Sequence, residues 1–252
     1  MKSENQRIRE SENQRIRESE IDVLRAFSVF AVIVIHISAY FTKIQNINLL
    51  QMTMAFIDGL ALFAVPSFIF ISGLVLYRNY GSNIKLTFDR KNISKFVSVK
   101  QFYLKRFRRI VPIYLMFSLF YYLFSEKHHI IKNLQIDFNF VSILFKLMTG
   151  GAFYHLWYFG ILFQFYLLFP IVSKIYLKYK INLLIFSFAF QLLWNFIGSN
   201  FIQYIGKSIG YDNLSFPVMF DYIFWFILGF YFFENKDKII GYVKLKKAVF
   251  ND

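Results

Sequence analysis

The chain has 252 residues, 57% of them hydrophobic and 22% aromatic, with a net charge of +14. A soluble domain of this length carries less apolar surface and more charge, and the basic residues lie between apolar runs, which argues against a nucleic-acid partner. The absence of cysteine excludes a disulfide framework, a thiolate metal site and a cysteine acyl-enzyme.

Residues 1–20 form a polar N-terminal tail that holds a tandem octapeptide, SENQRIRE at 3–10 and again at 11–18. Two short copies do not build a solenoid, so the tail is expected as a solvated helix or a disordered extension without chemistry. Ser19-Glu20-Ile21-Asp22 fits a capping box and predicts a helix start. Residues 21–252 read as one transmembrane domain. Apolar runs that suit a bilayer crossing lie near 23–41, 54–77, 110–124, 153–173, 181–197 and 216–234. The first follows a long charged stretch and lacks a small-residue cleavage site, so it is expected as an uncleaved span rather than a signal peptide. The third is short and could begin earlier, with the amphipathic stretch 102–109. Pro112 and Pro217 are expected in first turns, where a missing N–H costs nothing. Pro66 and Pro170 are expected to kink their helices, and residues 139–147 could lie on the membrane surface. The expected fold is all-α, a polytopic transmembrane bundle of about six spans.

Charge predicts the orientation. With the N-terminus cytoplasmic, the inner segments hold five Lys/Arg before Ile21, Arg25, ten between 78 and 109, three between 174 and 180, and five after Glu234. The outer segments hold only Lys43, Lys127, Lys132, Lys146 and Lys207. This asymmetry favours a multi-pass protein of the cytoplasmic membrane with its N-terminus inside.

Four constellations could carry chemistry. Arg25 and His36 lie eleven residues apart on the first span, which leaves about 20° of rotation and a rise of roughly 16 Å, so both point the same way. A titratable group at that depth must face protein or water. On spacing alone, a histidine bonded to a neighbouring helix competes evenly with a catalytic one. Arg106 and Arg109 share a helix face, and guanidinium forks suit phosphate oxygens, although basic residues at an inner mouth also serve orientation. Ser72-Gly73 could admit a ligand or a neighbouring helix. His155, Trp157 and Tyr158 open the fourth span, where such residues also form aromatic belts. Asp58 could pair with a histidine or reach outer water, and Asp221 has the same ambiguity. No P-loop, GxSxG or HExxH pattern is present, and no metal site is expected.

The stretch from Glu20 to Ala26 followed by His36 resembles the first span of the acyltransferase 3 family of membrane O-acyltransferases, with its Arg, ten residues and His. Pro66 to Gly73, the Arg106-x-x-Arg109 segment before Pro112, and His155-Leu156-Trp157-Tyr158 with Tyr166 and Pro170 are similar to further family stretches, in the same order. The resemblance implies a cytoplasmic acyl-CoA, in most members acetyl-CoA, as co-substrate with no permanently bound cofactor. It also implies a carbohydrate acceptor, a cell-surface glycan or glycoside, at the other face. His36 would be the general base; Arg25, Ser72, Gly73, Arg106 and Arg109 would bind acyl-CoA; His155, Trp157 and Asp58 would position the acceptor. The family fold has about ten spans, so by the length criterion this chain is expected as a shortened version. A transporter or flippase of a small solute or lipid-linked sugar is the alternative from another class, and an inactive fragment is a third reading. Oligomeric state is left open.

Overall fold

The computed structural model describes residues 4–42, 49–81, 99–124, 156–208 and 218–249. These residues are almost entirely helical, with no strand among them. Among the described residues, three stretches are long and apolar enough to cross a membrane: Ser19–Ser38, Leu49–Gly81 and Trp157–Gly198. The protein is an all-α membrane protein.

Helix α1 runs Glu4–Thr42 without interruption. The capping-box expectation is therefore corrected: Ser19 lies inside a helix that starts fifteen residues earlier. Glu, Gln and Arg dominate the octapeptides, all are good helix formers, and neither Gly nor Pro intervenes.

The second apolar run is broken in two, α2 (Leu49–Ala61) and α3 (Ala64–Leu76). Pro66 causes the break. It has no N–H to offer the Leu62 carbonyl, and its ring crowds that carbonyl. The chain turns at Leu62 and Phe63, and the Ser67 N–H resumes helical bonding to the Phe63 carbonyl at 2.9 Å. A single π-turn, Tyr77–Gly81, follows α3 directly.

Helix α4 spans Val99–Phe124. It takes in the amphipathic stretch ahead of residue 110, so Pro112 sits mid-helix and not in a first turn. Such a proline is tolerated in a membrane helix where neighbours satisfy the freed backbone groups.

Helix α5, Trp157–Ser208, merges the fourth and fifth expected spans. Lys180, at φ 27° and ψ −103°, breaks it. Gln164 accepts the Met219 N–H and Gln191 accepts the Phe224 N–H, both at 2.9 Å. On one straight helix the two glutamines would stand roughly 40 Å apart, whereas Met219 and Phe224 are neighbours. The helix therefore folds back at Lys180 into two antiparallel arms. A 3-10 turn, Met219–Tyr222, leads into α6, Ile223–Val249. The first amides of a helix lack intrahelical partners, and in an apolar setting they need others. The two glutamines supply them.

The core lies where α3, the first arm of α5 and α6 meet. Ile69, Leu76, Phe165, Phe169, Tyr176, Phe226 and Phe230 are buried there. Phe165 stacks on Phe226 with centroids 4.3 Å apart, and Tyr77 stacks on Phe230 at 4.8 Å. Two glycines allow the α3/α6 approach. A Cβ on Gly73 would fall 2.2 Å from the Phe226 carbonyl oxygen, and one on Gly229 would fall 2.4 Å from that of Phe70. Small residues at such crossings let membrane helices close on each other. The opposite faces of α1 and the second arm of α5 expose Phe27, Phe30, Phe186, Leu193 and Phe196, as a lipid-facing surface does.

Candidate functional site

On α1 the protein-facing stripe runs through Ser28, Ala31, Val32, Ile35 and Ser38. Ser28, Ala31 and Ser38 are buried. Arg25 and His36 flank this stripe on the same side, one near each end, and His36 is half-buried. The ring thus stands at the edge of a helix contact and not on the lipid face, where Ile33 and Ile37 are half exposed. Further along the stripe, Ala31 packs with Ala61 and Ala64 of α2 and α3. The break in the second span therefore lies against the middle of α1, between the levels of Arg25 and His36.

Asp58 of α2 accepts the Ser38 hydroxyl at 2.8 Å. This ties the His36 end of α1 to α2 and gives the Asp58 carboxylate a serine partner.

At the other end, Arg25 Nη1 donates to Asp22 Oδ1 at 2.7 Å, and both side chains stay largely accessible. A cleft of about 270 Å³ opens beside them, lined by Ile21, Asp22 and Arg25 of α1 and by Val75, Arg78 and Asn79 of α3 and the π-turn.

The π-turn organises this end of the molecule. An extra residue per turn re-aims successive side chains. Tyr77 points into the core, where its hydroxyl donates to Glu234 at 3.1 Å. Arg78 and Asn79 line the cleft. Tyr80 reaches Arg106 of α4, whose guanidinium carbon stands 5.3 Å from the Tyr80 ring centroid, 5.6 Å from that of Tyr166 and 5.8 Å from that of Phe102. Arg106 Nε is buried and has no hydrogen-bond partner among the described residues. Cation–π contact with three rings offsets part of that burial.

From this box a polar seam leads inward. Tyr166 feels both Arg106 and Arg109, and it also interacts with Tyr158, whose hydroxyl bonds Ser72. Ser72 of α3, Tyr158 and Tyr166 of α5, and Arg106 of α4 thereby connect three helices through the apolar interior.

The structure thus gathers some of the expected residues and separates others. Arg25 and Arg106 meet the same π-turn on neighbouring residues, and Ser72 joins Arg106 through two tyrosines. Arg109 is exposed on α4. Gly73 is taken up by the α3/α6 crossing. Trp157 stacks on Tyr222, with centroids 6.3 Å apart, a different contact from the Asp58–Ser38 pair. His155, the start of the 153–173 span, Pro217 and the 139–147 stretch lie outside the described residues. Among the described residues no three of His, Cys, Asp and Glu come together to hold a metal ion.

Arg78 and Asn79 did not stand out in the sequence, because an Arg just past a span reads as an orientation signal. Gln164 and Gln191 were not singled out either, although an uncharged polar group inside an apolar run is a signal that could have found them.

Residues 18–250 match the acyltransferase domain that defines the acyltransferase 3 family. In an alignment of 178 positions that covers 64% of its length, the chain is 30% identical to the peptidoglycan O-acetyltransferase OatA of Listeria monocytogenes serovar 1/2a. That stretch covers 25% of the relative, so the chain spans about a quarter of that protein's length. No solved structure matches the chain. The domain match covers nearly the whole chain and reaches every helix described above, leaving out only the first fourteen residues of α1, and on that ground the chain belongs to the acyltransferase 3 family.

Proposed function

We propose that this protein moves an acyl group, most simply acetyl, from cytoplasmic acyl-CoA to a hydroxyl of an extracytoplasmic glycan or glycoside. The observation that carries this reading is the α1 stripe, which presents a half-buried imidazole at one level and a basic cleft at another. A long thin thioester whose phosphates rest among Arg25, Arg106 and Arg109 would extend roughly 16 Å along α1 to bring its carbonyl to His36. Ser72, on the seam, would border that path. Gly73 serves by letting α3 and α6 close.

In the reaction, His36 takes the proton of the acceptor hydroxyl as the oxygen attacks the thioester carbonyl. The C–S bond then breaks, and CoA leaves with the proton returned from the imidazolium. Imidazole suits this task because its ordinary pKa lies near neutrality. His155, Trp157 and Asp58, toward the outer face, would position the acceptor. The comparison with a peptidoglycan O-acetyltransferase supports a carbohydrate acceptor at the cell surface.

The test is release of free CoA from acetyl-CoA by the purified protein in proteoliposomes with candidate cell-surface glycans. Wild type is expected to release CoA in step with acceptor acylation. His36→Ala is expected to lose about 10²–10⁴-fold in rate while still inserting. Normal transfer by His36→Ala sinks the general-base role. Movement of a solute without thioester consumption favours a transporter.

A further inference from the structure

We infer that Asp221, with Tyr222, Trp157 and Trp194, forms a binding subsite for an uncharged sugar of the acceptor, and that the Asp221 carboxylate sets the charge preference of that subsite. The inference rests on the glycan-acceptor reading and adds a location, three residues and a selectivity to it.

Asp221 is a carboxylate at bilayer depth. Ala64 of α3 packs on Ala31, near the middle of the apolar span Ser19–Ser38. Further along α3, Gly73 meets Phe226 of α6, and Tyr77 bonds Glu234. The two helices therefore run in the same direction. Asp221 precedes Phe226 by five residues, which carries it roughly 8 Å from the crossing toward the level of Ala64. The second arm of α5 passes Asp221 at Trp194 and continues to Ser208, roughly 21 Å further. Asp221 thus lies inside the apolar layer, on the side of the crossing away from Arg25. An ionisable group at that depth is costly unless it faces protein or water.

Its surroundings do not neutralise it. The carboxylate accepts the Val218 N–H and the Trp194 indole N–H. Neither donor carries a charge, and among the described residues no lysine, arginine or histidine pairs with Asp221. A carboxylate offers about four acceptor positions, so capacity remains for a ligand. The Tyr222 phenol lies within the field of Asp221, and its ring stacks on Trp157 with centroids 6.3 Å apart. Trp194, Asp221, Tyr222 and Trp157 form one connected group, and each is only partly buried. Asp58, by contrast, is tied to Ser38 on α1.

Flat aromatic faces around a few polar groups are the make-up of small-molecule sites. Indole and phenol rings have an apolar body and a polar tip, which match the C–H face of a pyranose and its hydroxyl edge. A sugar hydroxyl that donates to an ionised carboxylate makes a charge-assisted bond. A sugar acid would bring a second carboxylate to one that no cation offsets, and such a clash is a means of rejecting a ligand.

The tryptophans of the chain are Trp157, Trp194 and Trp225. Trp225→Phe therefore leaves two, both in the subsite, and their emission reports occupancy without any donor present. The full-length Trp225→Phe protein in detergent would be titrated with two neutral trimers, chitotriose and maltotriose, and with trigalacturonic acid at neutral pH. A saturable change is expected with a neutral trimer, at an affinity about tenfold above that for the acidic one. Asp221→Asn in the same background keeps an oxygen for the Val218 and Trp194 N–H groups. It is expected to weaken neutral-trimer binding about five- to tenfold and to shrink the preference over trigalacturonic acid.

No saturable response to either neutral trimer overturns the inference. Unchanged affinity and charge preference in Asp221→Asn also overturn it and leave Asp221 as a cap of its turn. Sugar binding without consumption of acetyl-CoA leaves the subsite standing while the donor reading fails. Release of CoA from acetyl-CoA with no tryptophan response to sugar does the reverse.

Discussion

Arg106 and Arg109 share a face of α4 but not an environment. Arg106 is packed among three rings with a buried Nε, while Arg109 is exposed. Their substitutions are therefore expected to separate. Arg106→Ala should lower thermal stability by about 1–2 kcal/mol through lost cation–π contact as well as weaken acyl-CoA binding. Arg109→Ala should weaken acyl-CoA binding alone. Thermal unfolding beside acyl-CoA affinity checks this, and an Arg109→Ala affinity equal to wild type would leave that residue only its orientation role. The common side taken by Arg25 and His36 was legible in the sequence, because helix geometry fixes relative direction. The enclosure of Arg106 was not, because Tyr80 and Tyr166 come from elements far away in the chain.

Among the elements, the tightest constraint is the crossing of α3 and α6. Gly73 and Gly229 each meet the backbone of the other helix at distances no Cβ can occupy. Gly73→Ala and Gly229→Ala should each cost about 1–3 kcal/mol by forcing the helices apart. Reversible unfolding in detergent measures this. A stability within error of wild type in both variants would show that the crossing can open freely. Ser-Gly in the second span read equally well as a ligand path or a helix contact, because smallness serves both. Only the position of α6 decides that Gly73 serves packing. The break at Leu62 and Phe63 was foreshadowed by Pro66, whose missing N–H acts locally. The π-turn was not foreshadowed, since it depends on Tyr77 being fixed against Phe230, Tyr176 and Glu234.

A second knot joins the helices near the fold-back. Glu234 accepts the hydroxyls of Tyr77 and Tyr176 and pairs with Lys180 at 3.2 Å. The residue at the break of α5 is thus tied to α6, and three elements close at the same end as the basic cleft.

For the molecule as a whole, the charge asymmetry makes a direct prediction. Because the chain has no cysteine, single cysteines can be introduced without removing any native one. A cysteine at Ser11 is expected to react with a membrane-impermeant thiol reagent only after cell permeabilisation, and one at Asn46 is expected to react in intact cells. The reverse pattern would invert the orientation and place the cleft on the wrong side for cytosolic acyl-CoA.

The order of residues along the chain was enough to indicate an all-α membrane protein, an arginine and a histidine on one side of its first span, and the place where proline interrupts the second run. These properties follow from hydrophobic length, helical period and local backbone chemistry, and each acts over a few turns. Folding in three dimensions settled the rest: Pro112 lies mid-helix in α4, the fourth and fifth apolar runs pack as two arms on α6, Gly73 belongs to a helix crossing, and Arg78 shares a cleft with Arg25. Those outcomes depend on which distant side chains satisfy buried polar groups and fill the space between helices, and no local pattern encodes that choice.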